Sequence, residues 1–334
     1  MARHDIPTAR YRSFTSSAEA EKWIRSADAP ERVVVKASGL AGGKGVIIPR
    51  NQDEAVEAVR SMLDGGQFKD AGSTVVVEEM LEGPEASILA FSDGTNVVAL
   101  PAAQDHKRAH EFDQGLNTGG MGVYCPSPLV TPDMNREIME TVLEPAVRGM
   151  AREGKPFVGV LFAGLMLCKA TGPAGRLVPK VLEFNVRMGD PETQAVLPLL
   201  REDCDLLEAM LACTEGRLRP EHLLTKEGAH AAAVVAVAPG YPSKPRAGDV
   251  IKVYGPGLGY GVGSKGVGGV HGTLMFHAGT AVEQRGFAMS LVTDGGRVLA
   301  VTGVASSLSA ALTKAYNGME AVIFPGMGVR RDIG

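Results

Sequence analysis

The stretch Lys36–Gly45 reads KASGLAGGKG, with two lysines and four glycines in ten residues. Glycine beside lysine suggests phosphate, held by backbone N–H groups and an ammonium. A P-loop would need G-x-x-x-x-G-K followed by Ser or Thr and then a helix. Here Gly45 follows Lys44, and Val46–Ile48 continues as a β-branched run that reads as strand. A dinucleotide fingerprint fails on the same ground. What remains is a flap between two strands. A plain hairpin with solvated lysines needs only a short turn, so the additional glycines favour phosphate. Lys36 ends the apolar run Val33–Val35 and is expected to face an anion.

Three further stretches could do chemistry. In VVVEEMLEGPEAS, Glu78 and Glu79 end one strand and Glu85 begins the next. A hinge of this kind can read an adenine edge through its backbone and a ribose through a carboxylate. Taken alone, it reads as an ordinary acidic turn. In KVLEFNVRMGDPETQ, Glu183, Asn185 and Arg187 share one face of a strand, because residues two apart point the same way. A carboxylate and an amide oxygen are hard ligands suited to Mg²⁺, which takes few protein ligands plus phosphates. The arginine could clamp a carboxylate or phosphate. The competing reading is a Glu183–Arg187 ion pair on an amphipathic strand. In QDHKRAHEFDQGLNTGGMG, the charges of Asp105, Lys107 and Arg108 lie beside the Gly-rich Asn117–Gly122, a pattern that binds anions. His106 and His110 stand four apart without an acid partner for zinc. Both, like His271 and His277, are read as structural.

The elements that must position these groups follow from caps and periodicity. Ser16 with Glu19, and Asn51 with Glu54, mark helix starts. Thr131-Pro132 begins a helix that runs toward Met150. Thr74–Val77, Ala86–Phe91, Val158–Cys168, Lys180–Val186, Ala231–Ala238 and Val298–Val304 read as strands, and Ser307–Tyr316 as a helix. Asp190-Pro191-Glu192 opens a helix that Pro198 interrupts. Gln104–Tyr124 has no clear period and is expected to be a long functional loop. Gly255–Gly269 is low in complexity and reads as a connecting loop.

The chain has 334 residues, 45% of them hydrophobic, and a net charge of −4. That fits an α/β enzyme of about two domains and argues against broad nucleic-acid binding. The four cysteines form no Cys-x-x-Cys and are expected as free thiols in a reducing compartment. No apolar run approaches the ~18 residues of a membrane helix, and the first residues lack the apolar core of a signal peptide. A soluble, intracellular protein is expected.

In their order, the flap lysines, acidic hinge, polar loop and E-F-N-x-R resemble the ATP-grasp superfamily. The fuller set is VVVKASGLAGGKGV, PAAQDHKR, NTGGMGVYCP, KVLEFNVRMGDPE, FHAGT and the terminal RRDIG. Over essentially the whole chain it is similar to glycinamide ribonucleotide synthetase (phosphoribosylamine–glycine ligase). The resemblance implies an α/β (α+β) fold: a two-lobed ATP-grasp domain at 1–228, its small lobe near 17–80, and a C-terminal α+β domain at 229–334. It implies that ATP phosphorylates glycine and that 5-phosphoribosylamine then displaces phosphate to give glycinamide ribonucleotide.

Carried over residue by residue, the resemblance puts Lys36, Ser38, Gly39, Gly42, Gly43, Lys44 and Gly45 on the ATP phosphates. It puts Glu78, Glu79 and Leu81 around adenine and Glu85 at the ribose. Glu183 and Asn185 hold Mg²⁺, with Mn²⁺ as a substitute. Asp105, Arg108, Asn117, Thr118 and Gly119 bind glycine and phosphoribosylamine, and Lys107, Arg187 and Asp190 stand at the chemistry. It also implies a cytoplasmic setting, fusion to or association with other purine-synthesis enzymes, and neither nucleic-acid nor membrane partners.

Relatives of this kind carry a further domain of ~100 residues ahead of HDIPTARY, which begins here at His4. Met188 stands where Phe or Leu is usual, Leu116 where Pro is usual, and Gly164 where many other ATP-grasp enzymes place a metal-binding carboxylate. The alternatives are a nucleotide-binding module without turnover and another ATP-grasp ligase or carboxylase.

Overall fold

The fold is that of a computed structural model, described over residues 1–39, 45–65, 73–170, 175–254, 273–286 and 288–334. Gly42, Gly43, Lys44, His271 and the stretch Gly255–Gly269 lie outside the described residues. The chain divides into two compact units. The first comprises Pro7–Pro84 and Met166–Leu182 with the first two residues; the second comprises Arg3–Ile6, Glu85–Leu165 and Glu183–Gly334.

In the first unit an antiparallel sheet has the order Tyr11–Phe14, Val75–Glu79, Val33–Ala37, Val46–Ile47. The helices Ser17–Ile24 and Gln52–Leu63 begin where the caps predict: Ser16 accepts from the Glu19 amide and Asn51 from the Glu54 amide. Their apolar faces form one core with the sheet, including Ile24, Val56, Val59 and Met62. Strand alternation decides what the other sheet face carries. Val33, Val35, Val75 and Val77 are buried in that core, so Lys36 and Glu78 project from the opposite face. The ends of the predicted flap are joined by a bond from the Ala37 amide to the Gly45 carbonyl, and the Ser38 amide donates to Thr74. Strand Val46–Ile47 follows the flap, as its β-branched sequence requires.

The second unit is built on a sheet ordered Leu274–His277, Arg297–Ala305, His230–Val237, Gly122–Cys125, Gln104–Asp105, with Gly328–Val329 also paired to His230–Val237. Helix Leu308–Met319, capped by Ser307, buries Ala311, Ala315, Gly318 and Met319. In this unit Glu85–Asp93 and Val97–Ala99 pair antiparallel, and the strands Val158–Lys169 and Leu177–Asn185 each contribute residues to both units.

Gln104–Tyr124, expected as a loop, instead carries the short strands Gln104–Asp105, Arg108–His110 and Gln114–Asn117 and enters Gly122–Cys125. Their partners explain why no period shows. Gly122 pairs with Val234, more than a hundred residues away, and Val123 pairs with Asp105. The helix from Thr131 runs to Arg152 through a π turn at Met139–Leu143. The helix after Asp190 ends at Val196 and tightens to a 3-10 turn at Leu197–Leu199, where Pro198 removes a donor.

Candidate active site

In the first unit, the face turned away from the helices holds a charged pair. The Lys36 ammonium lies 2.6 Å from Glu78 Oε2 and 3.5 Å from the Leu182 carbonyl. The two side chains are only 23% and 20% exposed, so screening is partial. Glu78 and Glu79 were expected together at an adenine edge; the structure gives each a cationic neighbour. Glu79 accepts from the Arg10 amide and has the Arg10 and Lys180 side chains nearby. Leu81 is buried with Ala9 and Cys168 in an apolar cluster edged by Met166, Val178 and Leu182. That cluster is an apolar surround of the kind that lines ligand sites.

In the second unit, Glu85, Asp105 and Lys107 come together, joined by two residues the sequence did not single out. Lys107 Nζ lies 2.5 Å from Glu85 Oε2. Glu192 is 2% exposed and accepts from the buried Ser87 hydroxyl at 3.1 Å. Asp105 Oδ1 is buried with no hydrogen-bond partner. Burial first, and the charge of Glu192 second, push the Asp105 carboxyl well above the carboxylate range, with Lys107 opposing. Burial likewise raises Glu192. Burial works against the Lys107 ammonium, but Glu85, Asp105 and Glu192 outweigh it and hold the lysine charged. Three carboxyl groups surround one ammonium, and their oxygens offer acceptors to an amine-bearing ligand, while burial favours the protonated form of Asp105 and Glu192.

The segment after Lys107 folds back on it. Both the amide and the hydroxyl of Thr118 donate to the Lys107 carbonyl, at 2.7 and 2.8 Å. Asn117 pairs with Arg108 across a short hairpin. The Arg108 guanidinium donates to the Gly115 carbonyl of that hairpin at 2.9 Å. Gly120 has φ +116°, and a Cβ there would stand 2.6 Å from Asp105 Oδ1 and 2.4 Å from Pro191 Cδ. Only glycine lets this turn lie against the buried carboxyl. His106 is largely buried with its ring against Tyr124, and burial, then Arg330, lower its pKa. His110 lies against Gly115, and His277 bonds the Thr280 hydroxyl.

The terminal RRDIG motif holds the same segment. Arg330 is 2% exposed. Its guanidinium grips both oxygens of Asp332 at 2.8 and 2.7 Å, Asp113 at 3.0 Å, and the Arg108 carbonyl at 3.1 Å.

Glu183 and Asn185 share a face at the end of strand Leu177–Asn185, but the strand stops before Arg187, which joins them by hydrogen bonding and not by strand period. Asn185 Nδ2 donates to Glu183 Oε1 at 3.1 Å, and Arg187 donates to Asn185 Oδ1 at 3.3 Å. Asn185 thus stands between the two charges, and the second amine of Arg187 goes to the Met188 carbonyl. The exposed carboxylate and the adjacent amide oxygen are two hard donors, a set that fits Mg²⁺ with phosphates completing the shell. A Cβ at Gly164 would meet Glu183 Cγ at 3.5 Å, so the neighbouring strand presents no second carboxylate there. Asp190 accepts from Gln194 and from Arg297, another residue that sequence reasoning missed. The only local signal for Arg297 was its place after the Asp294-Gly295-Gly296 turn.

Residues 1–193 match the family model described as phosphoribosylglycinamide synthetase, ATP-grasp (A) domain, and residues 231–334 match the C domain of the same synthetase. A phosphoribosylamine–glycine ligase of Chlorobaculum tepidum is 44% identical over 334 residues, which cover 100% of this chain and 73% of that protein. A bifunctional purine biosynthetic protein of Pichia angusta is 46% identical over 333 residues. The chain spans 39% of its length, against 31% of a trifunctional Bos taurus protein, also 46% identical.

The crystal structure of phosphoribosylamine–glycine ligase from Thermotoga maritima superposes with TM-score 0.84 at 35% identity, covering 100% of this chain and 76% of that one. A Hydrogenobacter thermophilus biotin carboxylase domain has TM-score 0.70 at 17% identity, covering 98% and 65% of the two chains, which shows a shared fold alone. The matched family models and the Chlorobaculum relative establish that this chain belongs to the phosphoribosylglycinamide synthetase family.

Proposed function

We propose that this chain joins glycine to 5-phosphoribosylamine at the expense of ATP, through glycyl phosphate. The observation that carries the reading is the hydrogen-bonded run Glu183–Asn185–Arg187, in which two hard oxygen donors at the end of strand Leu177–Asn185 are joined to a guanidinium just beyond it. A glycine carboxylate oxygen attacks the γ-phosphorus, the bond to the ADP oxygen breaks, and ADP leaves. The amine nitrogen of phosphoribosylamine then attacks the acyl carbon, loses a proton, and phosphate departs with the oxygen that came from glycine. Glu183 and Asn185 would hold Mg²⁺, which supplies charge neutralisation on the transferring phosphoryl group when bound.

Lys36 would exchange Glu78 for ATP phosphate, together with the flap residues Ser38, Gly39 and Gly45. The cluster around Leu81 would receive adenine. Lys107, Asp105, Arg108, Thr118, Gly119, Arg187 and Asp190 would bind and orient glycine and phosphoribosylamine. Positioning and electrostatics carry such a reaction, with no covalent nucleophile on the protein. A division at 1–228 and 229–334 is part of the reading, supported by the two family models ending at 193 and opening at 231. Among the described residues no helix is long and apolar enough to cross a membrane. A cytoplasmic setting and association with other purine-synthesis activities complete the proposal.

The test is ADP release from Mg²⁺–ATP with glycine and phosphoribosylamine added singly and together. ADP formation that requires glycine is expected. Nucleotide binding with no glycine-dependent turnover would sink the reading for this chain, and turnover with bicarbonate in place of glycine would point to another ATP-grasp reaction.

A further inference from the structure

The geometry points to Arg297 as a positioning residue for the amino-substrate half of the site, acting through the Gly119–Gly120 turn and Asp190. This inference rests on the ligase reading above. Arg297 opens strand Arg297–Ala305 and is rooted on two sides: it pairs with Val237 just past a bulge, and its carbonyl accepts from the Gly279 amide at 2.9 Å. From this anchor one guanidinium nitrogen donates to the Gly119 carbonyl at 2.7 Å, to the Asp190 carbonyl at 2.7 Å and to the Gly120 carbonyl at 3.4 Å. The other donates to Asp190 Oδ2 at 3.3 Å. A single side chain therefore ties together two segments that are 70 residues apart in sequence, Gly120 to Asp190.

Both tied segments bear on the buried carboxyl group. Gly120 lies against Asp105, and Pro191 closes over Gly120. The next residue, Glu192, is the buried partner whose charge acts on Asp105. The approach is too tight for side chains: a Cβ at Gly119 would stand 2.8 Å from the Arg297 guanidinium carbon. The Gly119 amide is taken up from the other side by the Tyr241 hydroxyl at 3.3 Å. Arg297 spends its donors on backbone carbonyls and one carboxylate, which assigns it to holding the turn rather than to touching substrate. A planar fork can serve both segments at once; a lysine ammonium is a point donor and serves them less well.

The experiment compares wild type, Arg297→Ala and Arg297→Lys in the full chain by two readouts. Kinetically, Arg297→Ala should raise KM for glycine by about tenfold to a hundredfold while KM for ATP stays within about twofold, and Arg297→Lys should recover part of the loss. A residue that only supported the fold would lower the amount of active protein and move neither KM. Independently of turnover, hydrogen exchange at the Gly119, Gly120 and Met121 amides should accelerate in Arg297→Ala. Unchanged exchange at these amides would overturn the inference, as would a KM for ATP that rises in step with that for glycine. If wild type itself shows no glycine-dependent ADP release, the ligase reading fails, and the exchange comparison still decides whether Arg297 holds the turn.

Discussion

In each unit a lysine meets a glutamate closely, and the surroundings separate Lys36–Glu78 from Lys107–Glu85. Lys36 and Glu78 meet at 2.6 Å on a sheet face, one cation to one anion. Lys107 and Glu85 meet at 2.5 Å, but Asp105 and Glu192 add two more carboxyl groups beside them. The first pair is balanced, and either member can change partner at modest cost. The second belongs to an acidic group built in advance, with its backbone fixed by Thr118, Arg297 and Arg330. A balanced, exchangeable pair suits a polyanion that arrives and leaves. A preformed acidic group suits an amine that must be oriented for attack.

The largest expected effect tests how firmly the second region is built. Arg330→Met removes the fully buried cation that holds Asp332 and Asp113, and should cost about 3 kcal/mol in urea unfolding. A loss below about 1 kcal/mol would mean that the terminal clamp is not structural.

A smaller effect separates Asp105 from an ordinary carboxylate. Its folded pKa is raised, so the folded protein holds that proton more tightly than the unfolded chain, whose carboxyl titrates near ~3.9. The stability it contributes is full below that value and is lost as pH rises through the folded pKa. Asp105→Asn keeps a neutral side chain at every pH. The stability of the variant relative to wild type should therefore increase as pH rises above about 4. Urea melts across a pH series check this, and a difference that does not change with pH would contradict it.

The smallest stability effect belongs to the first region. Lys36→Ala should change unfolding free energy by about 1 kcal/mol or less yet weaken ATP binding by about tenfold, the loss of one charge-assisted contact. Titration calorimetry with ATP measures it. Unchanged ATP affinity would remove Lys36 from the phosphate site and erase the contrast between the two pairs.

What the sequence made legible was local. Ser16, Asn51 and Thr131 announced their helices because a cap acts within three residues. The Glu183–Asn185 pair followed from the period of a strand, which ends before Arg187. What stayed hidden depends on register between distant strands. Arg297 is 178 residues from Gly119, and nothing near either one marks their meeting. Glu192 read only as the first turn of a helix, and Ser87 as one residue of a strand; their contact spans 105 residues. The short strands of Gln104–Tyr124 were missed because each is ordered by a partner rather than by its own pattern. RRDIG was visible as a motif, but its use as a clamp on Asp113 and Arg108 was not.

Under the proposed function, the carboxylate is activated as an acyl phosphate. The most direct measurement supplies glycine labelled with ¹⁸O in its carboxylate, together with Mg²⁺–ATP and phosphoribosylamine, and follows the label by mass spectrometry of the inorganic phosphate. The account predicts one ¹⁸O transferred to phosphate for each ADP formed. Phosphate that appears with ADP but carries no label from glycine would contradict it.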